Sequence, residues 1–92
     1  ICLALKALNP KIQIFGVQAE KNALMTHWLE QRKIVDAKSE ATIAEGLAVR
    51  MEHETMTFPL LKQYLDRMIT VSEAEIRNAM CYGLREHQLI FE

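Results

Sequence analysis

Two short apolar runs, Ile-Gln-Ile-Phe-Gly-Val at 12–17 and Met-Ile-Thr-Val at 68–71, stand apart in a sequence that otherwise carries helical periodicity. This alternation constrains the fold more than any other feature. The first run is short, mostly apolar and β-branched, the pattern of a strand covered on both faces; the second reads as a companion strand. Before the first, Ile1, Leu5 and Leu8 recur at helical spacing until Asn9-Pro10, where proline cannot continue a helix. After it, Leu24, Met25, Trp28 and Leu29 form one apolar stripe, with Lys21, Glu30 and Arg32 on or near the other side. A third helix is expected from about Thr57, with Pro59 in its first turn and Leu61, Tyr64 and Leu65 inward. Strands alternating with helices imply an α/β fold: parallel strands with helices on the sheet faces, part of a three-layer α-β-α arrangement.

The sharpest local signal is Ser72-Glu73-Ala74-Glu75. It predicts a capping box, in which the Ser72 hydroxyl accepts from the Glu75 amide and the Glu75 carboxylate accepts from the Ser72 amide. Ile76, Ala79, Met80, Gly83 and Leu84 then continue as an amphipathic helix to about Gln88. Gly83 inside that helix costs about 1 kcal/mol relative to alanine, so a close contact with a neighbouring element is expected there. Residues 34–42 are polar and aperiodic and read as a surface connection. Residues 43–49 are small and apolar, a loop with Gly46 at its centre.

Composition narrows the function by exclusion. Eleven basic against twelve acidic residues give a net charge of −1, and the basic residues are scattered, so no footprint for nucleic acid is visible. No stretch approaches the roughly 20 apolar residues that cross a bilayer, and no signal-peptide layout opens the chain. Cys2 and Cys81 form no disulfide framework, which favours a reduced, cytoplasmic setting. A chain of 92 residues is one small domain of marginal stability, two strands make a poor sheet alone, and the first helix has no start signal. Together these lead us to expect a longer natural chain.

Four stretches, read together, resemble the pyridoxal-phosphate-dependent serine/threonine dehydratases (threonine ammonia-lyases) of the tryptophan-synthase-β-like fold. They are Ile14-Phe15-Gly16-Val17-Gln18-Ala19-Glu20; Thr42-Ile43-Ala44-Glu45-Gly46-Leu47-Ala48-Val49-Arg50; Thr57-Phe58-Pro59; and Ile69-Thr70-Val71-Ser72-Glu73-Ala74-Glu75-Ile76. Leu89-Ile90-Phe91-Glu92 is similar to the apolar pair and glutamate that close this region in the family. The resemblance covers nearly the whole chain, as the C-terminal part of a catalytic domain. It implies a parent enzyme that converts L-threonine or L-serine to a 2-oxo acid and ammonia, with pyridoxal 5'-phosphate as cofactor and a homo-oligomeric assembly. It also implies that the cofactor's lysine and glycine-rich phosphate loop lie upstream of Ile1, leaving the rest of the catalytic domain as this segment's partner. By the same resemblance Glu45 and Gly46 lie beside the cofactor ring, glycine letting backbone come close, and Glu92 lies near it; no catalytic residue is assigned. Some relatives, serine racemases among them, place two carboxylates around a divalent metal just after the first strand. The matching positions here are Gln18 and Leu24, and a hard cation wants oxygen ligands, so no metal is expected. Met51-Glu52-His53-Glu54 replaces the usual glycine in the turn before Thr57, which implies a looser or differently shaped turn.

Other readings weigh less. His27, His53 and His87 lack ligand spacing and read as solvated or packing residues. Cys81 beside Met80 reads as a small helix residue, Trp28 with Met25 as core, and Glu73 with Glu75 as helix-start residues rather than a catalytic pair. A non-catalytic remnant or interaction module of the same fold is the rival from another class. An amino-acid-binding regulatory domain expects a β-α-β-β-α-β order that the pattern does not supply. None of Lys6, Lys11, Lys21, Lys33, Lys38 and Lys62 has the family's Ser-Phe-Lys setting. The 92-residue chain by itself is therefore expected to form no specific covalent adduct with pyridoxal phosphate. Incubation, borohydride reduction and peptide mapping check this; stoichiometric labelling of one lysine is the contrary result.

Overall fold

A parallel pair of strands organises the computed structural model, which describes residues 1–36, 38–48 and 55–91. Strand β1 (Phe15–Ala19) lies beside β2 (Arg67–Val71), with Phe15 opposite Arg67 and Ala19 opposite Val71. Helix α1 (Cys2–Leu8) precedes β1, and α2 (Leu24–Gln31) and α3 (Thr57–Tyr64) fall between the strands. Helix α4 (Glu73–His87) follows β2. The α/β class and the parallel pairing are those expected from sequence.

The first strand begins later than its composition predicts. Ile12 and Ile14 are apolar enough for a strand, but among the described residues no partner strand lies opposite 12–14. Instead the Asp66 carboxylate accepts the Ile14 amide at 2.7 Å, and the Ile14 carbonyl accepts the amides of Asp66 and Arg67 at 3.0 and 3.4 Å. The same carboxylate accepts Lys6 Nζ at 2.7 Å, and Lys6 also donates to the Ile12 carbonyl at 2.7 Å. One aspartate thus fastens α1 to the entrances of both strands. The Lys6 ammonium, then the Ile14 amide, hold its carboxyl below the usual range.

One face of the sheet is packed and the other is open. Met25, Trp28 and Phe58 form the buried cluster, and Met68 of β2 packs on it together with Leu24, Leu29 and Leu61. Gly16 faces the same side, where a Cβ would run into the Met68 sulfur. Trp28 is 1% exposed, meets Phe58 edge to face at 5.7 Å between ring centroids, and donates Nε1–H to the Val35 carbonyl at 2.7 Å. Val35 and its neighbour Ile34 pack on this cluster. The expected surface connection at 34–42 is therefore corrected at its start, because the Trp28 ring needs both a cover and an acceptor. On the other face Phe15 is 49% and Val17 58% exposed, so the expectation of a strand covered on both sides is also corrected. Helix α4 lines that side across an open apolar groove of about 590 Å³, bordered by Val17, Val71, Ile76, Ala79 and Met80.

Magnitudes show how incomplete this burial is. A self-contained globule of 10.6 kDa exposes roughly 5,500 Å²; this chain exposes 7492 Å². The excess, on the order of 2,000 Å², equals a whole protein–protein interface. The radius of gyration, 14.8 Å, likewise exceeds the roughly 12 Å of a compact chain of this length.

At its C-terminal end α4 stops on Gln88 in the left-handed conformation (φ 54°), and the Leu89 amide donates to the Gly83 carbonyl at 3.1 Å. The tail folds back so that the Phe91 ring occupies the space where a Gly83 Cβ would stand. The close contact expected at Gly83 is therefore made by the chain's own tail.

Because a single indole fills the centre of so small a core, Trp28→Ala should cost about 3–5 kcal/mol, a large fraction of the stability available to a chain of this size. Equilibrium denaturation in urea measures it. A loss below about 1 kcal/mol would mean that the cluster is not the stabilising centre.

Candidate functional site

The turn expected to approach a cofactor is tied to the start of α4. Glu45–Leu47 forms a single 3-10 turn, in which the Leu47 amide donates to the Ala44 carbonyl and the Ala48 amide to the Glu45 carbonyl, both at 3.0 Å. Just before it, the Thr42 hydroxyl accepts the Ala44 amide at 3.2 Å and donates to Glu73 Oε1. The Ile43 amide donates to Glu73 Oε2 at 3.0 Å. Both carboxylate oxygens of one helix residue thus hold two consecutive loop residues.

Glu73 is free for this task because its neighbours cap the helix. Ser72 Oγ accepts the Glu75 amide at 3.3 Å, and Glu75 Oε2 accepts the Ser72 amide at 2.8 Å, the capping box expected from sequence. A carboxylate in the first turn is also favoured by the helix dipole. Donation from the Thr42 hydroxyl, then from the Ile43 amide, lowers the Glu73 pKa; Lys21 and Arg77 act in the same direction and desolvation opposes them. Sequence reasoning missed this role. The available signal was a spare acid between the two partners of a capping box, with no capping work of its own.

Of the residues assigned to the cofactor, Glu45 and Gly46 are exposed. Among the described residues a Cβ added at Gly46 would meet nothing within 4 Å, so they leave that side of the turn open. Glu92 lies outside the described residues, as does the turn at Met51-Glu52-His53-Glu54.

Gln18, considered above as a metal position, has a structural occupation. Its Oε1 accepts both the amide and the hydroxyl of Thr26 at 2.9 Å. Ala23 at the N-cap of α2 offers no acceptor, so a side chain from β1 satisfies one of the helix's unpaired amides. Leu24 packs on the core. Among the described residues no group of three or more His, Cys, Asp or Glu is placed to hold a metal. His27 Nδ1 lies 3.7 Å from Glu30, His87 stacks edge-on to Tyr82, and His53 is outside the described residues. Cys2 and Cys81 are both free thiols. No helix among the described residues is long and apolar enough to cross a membrane.

Comparison with known proteins places this geometry in a family. The family model described as pyridoxal-phosphate dependent enzyme matches residues 1–92. The chain is 32% identical to an L-threonine ammonia-lyase of Thermotoga maritima over its whole length, covering 23% of that protein. It is 37% identical to a catabolic L-threonine dehydratase of Staphylococcus aureus, covering 26%. It therefore spans about a quarter of the length of these curated relatives. Among solved structures, 99% of the chain superposes on maize serine racemase (TM-score 0.88, 27% identity, 28% of that chain) and on a threonine deaminase of T.th. (TM-score 0.88, 28% identity, 30% of that chain).

The Glu73 clamp has a definite pH dependence. Its pKa is lowered in the folded chain, so the stabilisation is fully present above the ordinary glutamate range. It is lost as pH falls through the lowered native value, below the ordinary glutamate range. The Ile43 amide proton shift should report this transition in an NMR titration, and Glu73→Gln should abolish it. A midpoint at or above the ordinary glutamate value would contradict the clamp.

Proposed function

The chain belongs to the pyridoxal-phosphate-dependent enzymes, and from that premise we propose that it forms the C-terminal part of the catalytic domain of a threonine/serine ammonia-lyase. The whole-length match to an L-threonine ammonia-lyase and an L-threonine dehydratase carries this reading. The fold is α/β with parallel strands, of the tryptophan-synthase-β-like kind. The family depends on pyridoxal phosphate.

The turn at Glu45–Gly46 supports placing one edge of such a cofactor against it. The Gly46 side of the turn is open, and glycine there permits backbone approach. The amines placed here are partly engaged: Lys6 pairs with Asp66, and Lys62 donates to the Arg32 carbonyl. We assign the covalent lysine and the phosphate loop to the rest of the catalytic domain. The same partner would cover the bare sheet face, and the surplus of exposed area supports this.

In the proposed reaction L-threonine or L-serine loses its Cα proton and its β-hydroxyl as water. The enamine so formed takes a proton at Cβ and gives one up at nitrogen to become an imine, which water hydrolyses to ammonia and the 2-oxo acid. Bound pyridoxal phosphate supplies an electron sink for the pair left at Cα. This chain's part is to present Glu45, Gly46 and Glu92 beside the ring, positioning and tuning it without exchanging the proton themselves. A second reading, serine racemisation, draws on the equal superposition of maize serine racemase. It returns the proton to the opposite face of Cα and releases no ammonia, so product analysis separates the two.

Gly46→Ala tests the site. The glycine has no positive φ and, among the described residues, no neighbour within 4 Å of an added Cβ, so an alanine there should leave their packing unchanged. Against a bound ring the added methyl should cost about 1–3 kcal/mol, and a displacement of about 1 Å can cost on the order of 10²-fold in rate. The comparison belongs at Lys38 or Ser39, which are exposed, rather than at Ile34 or Val35, which pack on Trp28. Substitutions there should stay within about 0.5 kcal/mol. kcat/KM and the cofactor's absorbance in the full-length enzyme decide the matter. Normal turnover and spectrum in Gly46→Ala would remove Glu45 and Gly46 from the site.

A further inference from the structure

We infer that Glu73 is the positioning residue for the Glu45–Gly46 turn, acting through Thr42 and Ile43. The inference rests on the reading of that turn as the cofactor-facing element. It adds the part of the machinery that fixes where the turn stands.

The path is continuous from a rigid helix to the turn. Helix α4 is 15 residues long with a closed capping box, which makes its first turn a firm anchor. Glu73 in that turn accepts the Thr42 hydroxyl on Oε1 and the Ile43 amide on Oε2. Thr42 Oγ accepts the Ala44 amide, the Ala44 carbonyl accepts the Leu47 amide, and Gly46 lies inside that last closure. Among the described residues these two Glu73 contacts are the side-chain hydrogen bonds that join 42–48 to another element. Two acceptors on one planar group define an orientation as well as a distance, which a single bond cannot do. Gln18, by contrast, spends its acceptor on α2, and Glu75 spends its own on Ser72. Among the described residues neither makes a hydrogen bond to the loop.

Glutamine is a poor substitute for this carboxylate. It keeps one acceptor oxygen and puts an N–H₂ donor where the second donor must be received. Thr42→Val removes the hydroxyl while keeping the shape of the side chain, and Thr42→Ser keeps the hydroxyl.

The test uses the full-length enzyme carrying its cofactor, with visible circular dichroism of the bound cofactor as the primary signal and kcat and KM beside it. Glu73→Gln and Thr42→Val should each alter the cofactor band and lower kcat by about 10- to 100-fold, with KM changed less than about 3-fold. The double variant should be no worse than the more damaged single one, since both remove the same link. Thr42→Ser should retain the wild-type band, which a loss of general packing would not predict. If Glu73→Gln does not yield folded protein, Thr42→Val and Thr42→Ser carry the comparison alone. A wild-type band in Thr42→Val, or additive losses in the double variant, would overturn the inference. Gly46→Ala separates its failure from that of the site. If Gly46→Ala changes the band while Glu73→Gln and Thr42→Val do not, the turn faces the cofactor without this clamp. If none of the three changes it, the site reading falls together with the inference.

Discussion

The parallel pairing of β1 with β2 is the contact on which the rest of the structure depends, because it brings together segments far apart in sequence. Parallel strands need a long crossover, and here α2 and α3 supply it. The pairing holds because the crossover packs back on the sheet through Trp28, Phe58 and Met68. Asp66 reinforces it at the strand entrances by binding the Ile14 amide and Lys6 together. Once the register is set, β2 ends at Val71 and α4 starts at Glu73 beside the end of β1. The C-terminal ends of parallel strands are where open α/β sheets place their ligands, and the 42–47 loop is held at the start of the helix that leaves β2.

That loop is built from polar contacts, whereas the core beneath the sheet is built from apolar ones. The difference matters for a site. Apolar packing is non-directional and would let the loop slide, whereas a carboxylate receiving two donors fixes its angle. The glycine in the turn leaves one side bare, and none of the described residues fills it. The segment thus combines a firm attachment on one side of the loop with an open approach on the other.

The bare sheet face has the same logic on a larger scale. Phe15, Val17 and Ile69 are exposed there, next to the α4 groove. Their apolar character is wasted on water but appropriate to an interior, and the surplus of exposed area is the size of an interface. This exposure supports the proposal that the rest of the catalytic domain covers that face.

Several features were determined by the sequence alone. The capping box at Ser72 and Glu75, the helix stop at Asn9-Pro10, the helical stripe around Trp28 and the alternation of strands with helices depend on neighbours within a few residues. Periodicity and capping chemistry express those directly. The four motifs likewise carry the family resemblance by themselves. Tertiary structure alone decided what depends on distant partners. The start of β1 moved to Phe15 because pairing, not composition, ends a ladder, and Asp66 took the Ile14 amide instead. Ile34 and Val35 turned inward because an indole N–H elsewhere needed an acceptor. Gln18 became a helix cap, and Phe91 found Gly83. Glu73 became the holder of Thr42 and Ile43 across 31 and 30 positions of sequence, a separation that local pattern does not encode. Hydrogen bonds between distant residues are fixed by the geometry of the assembled chain, so their chemistry is legible in the sequence while their pairing is not.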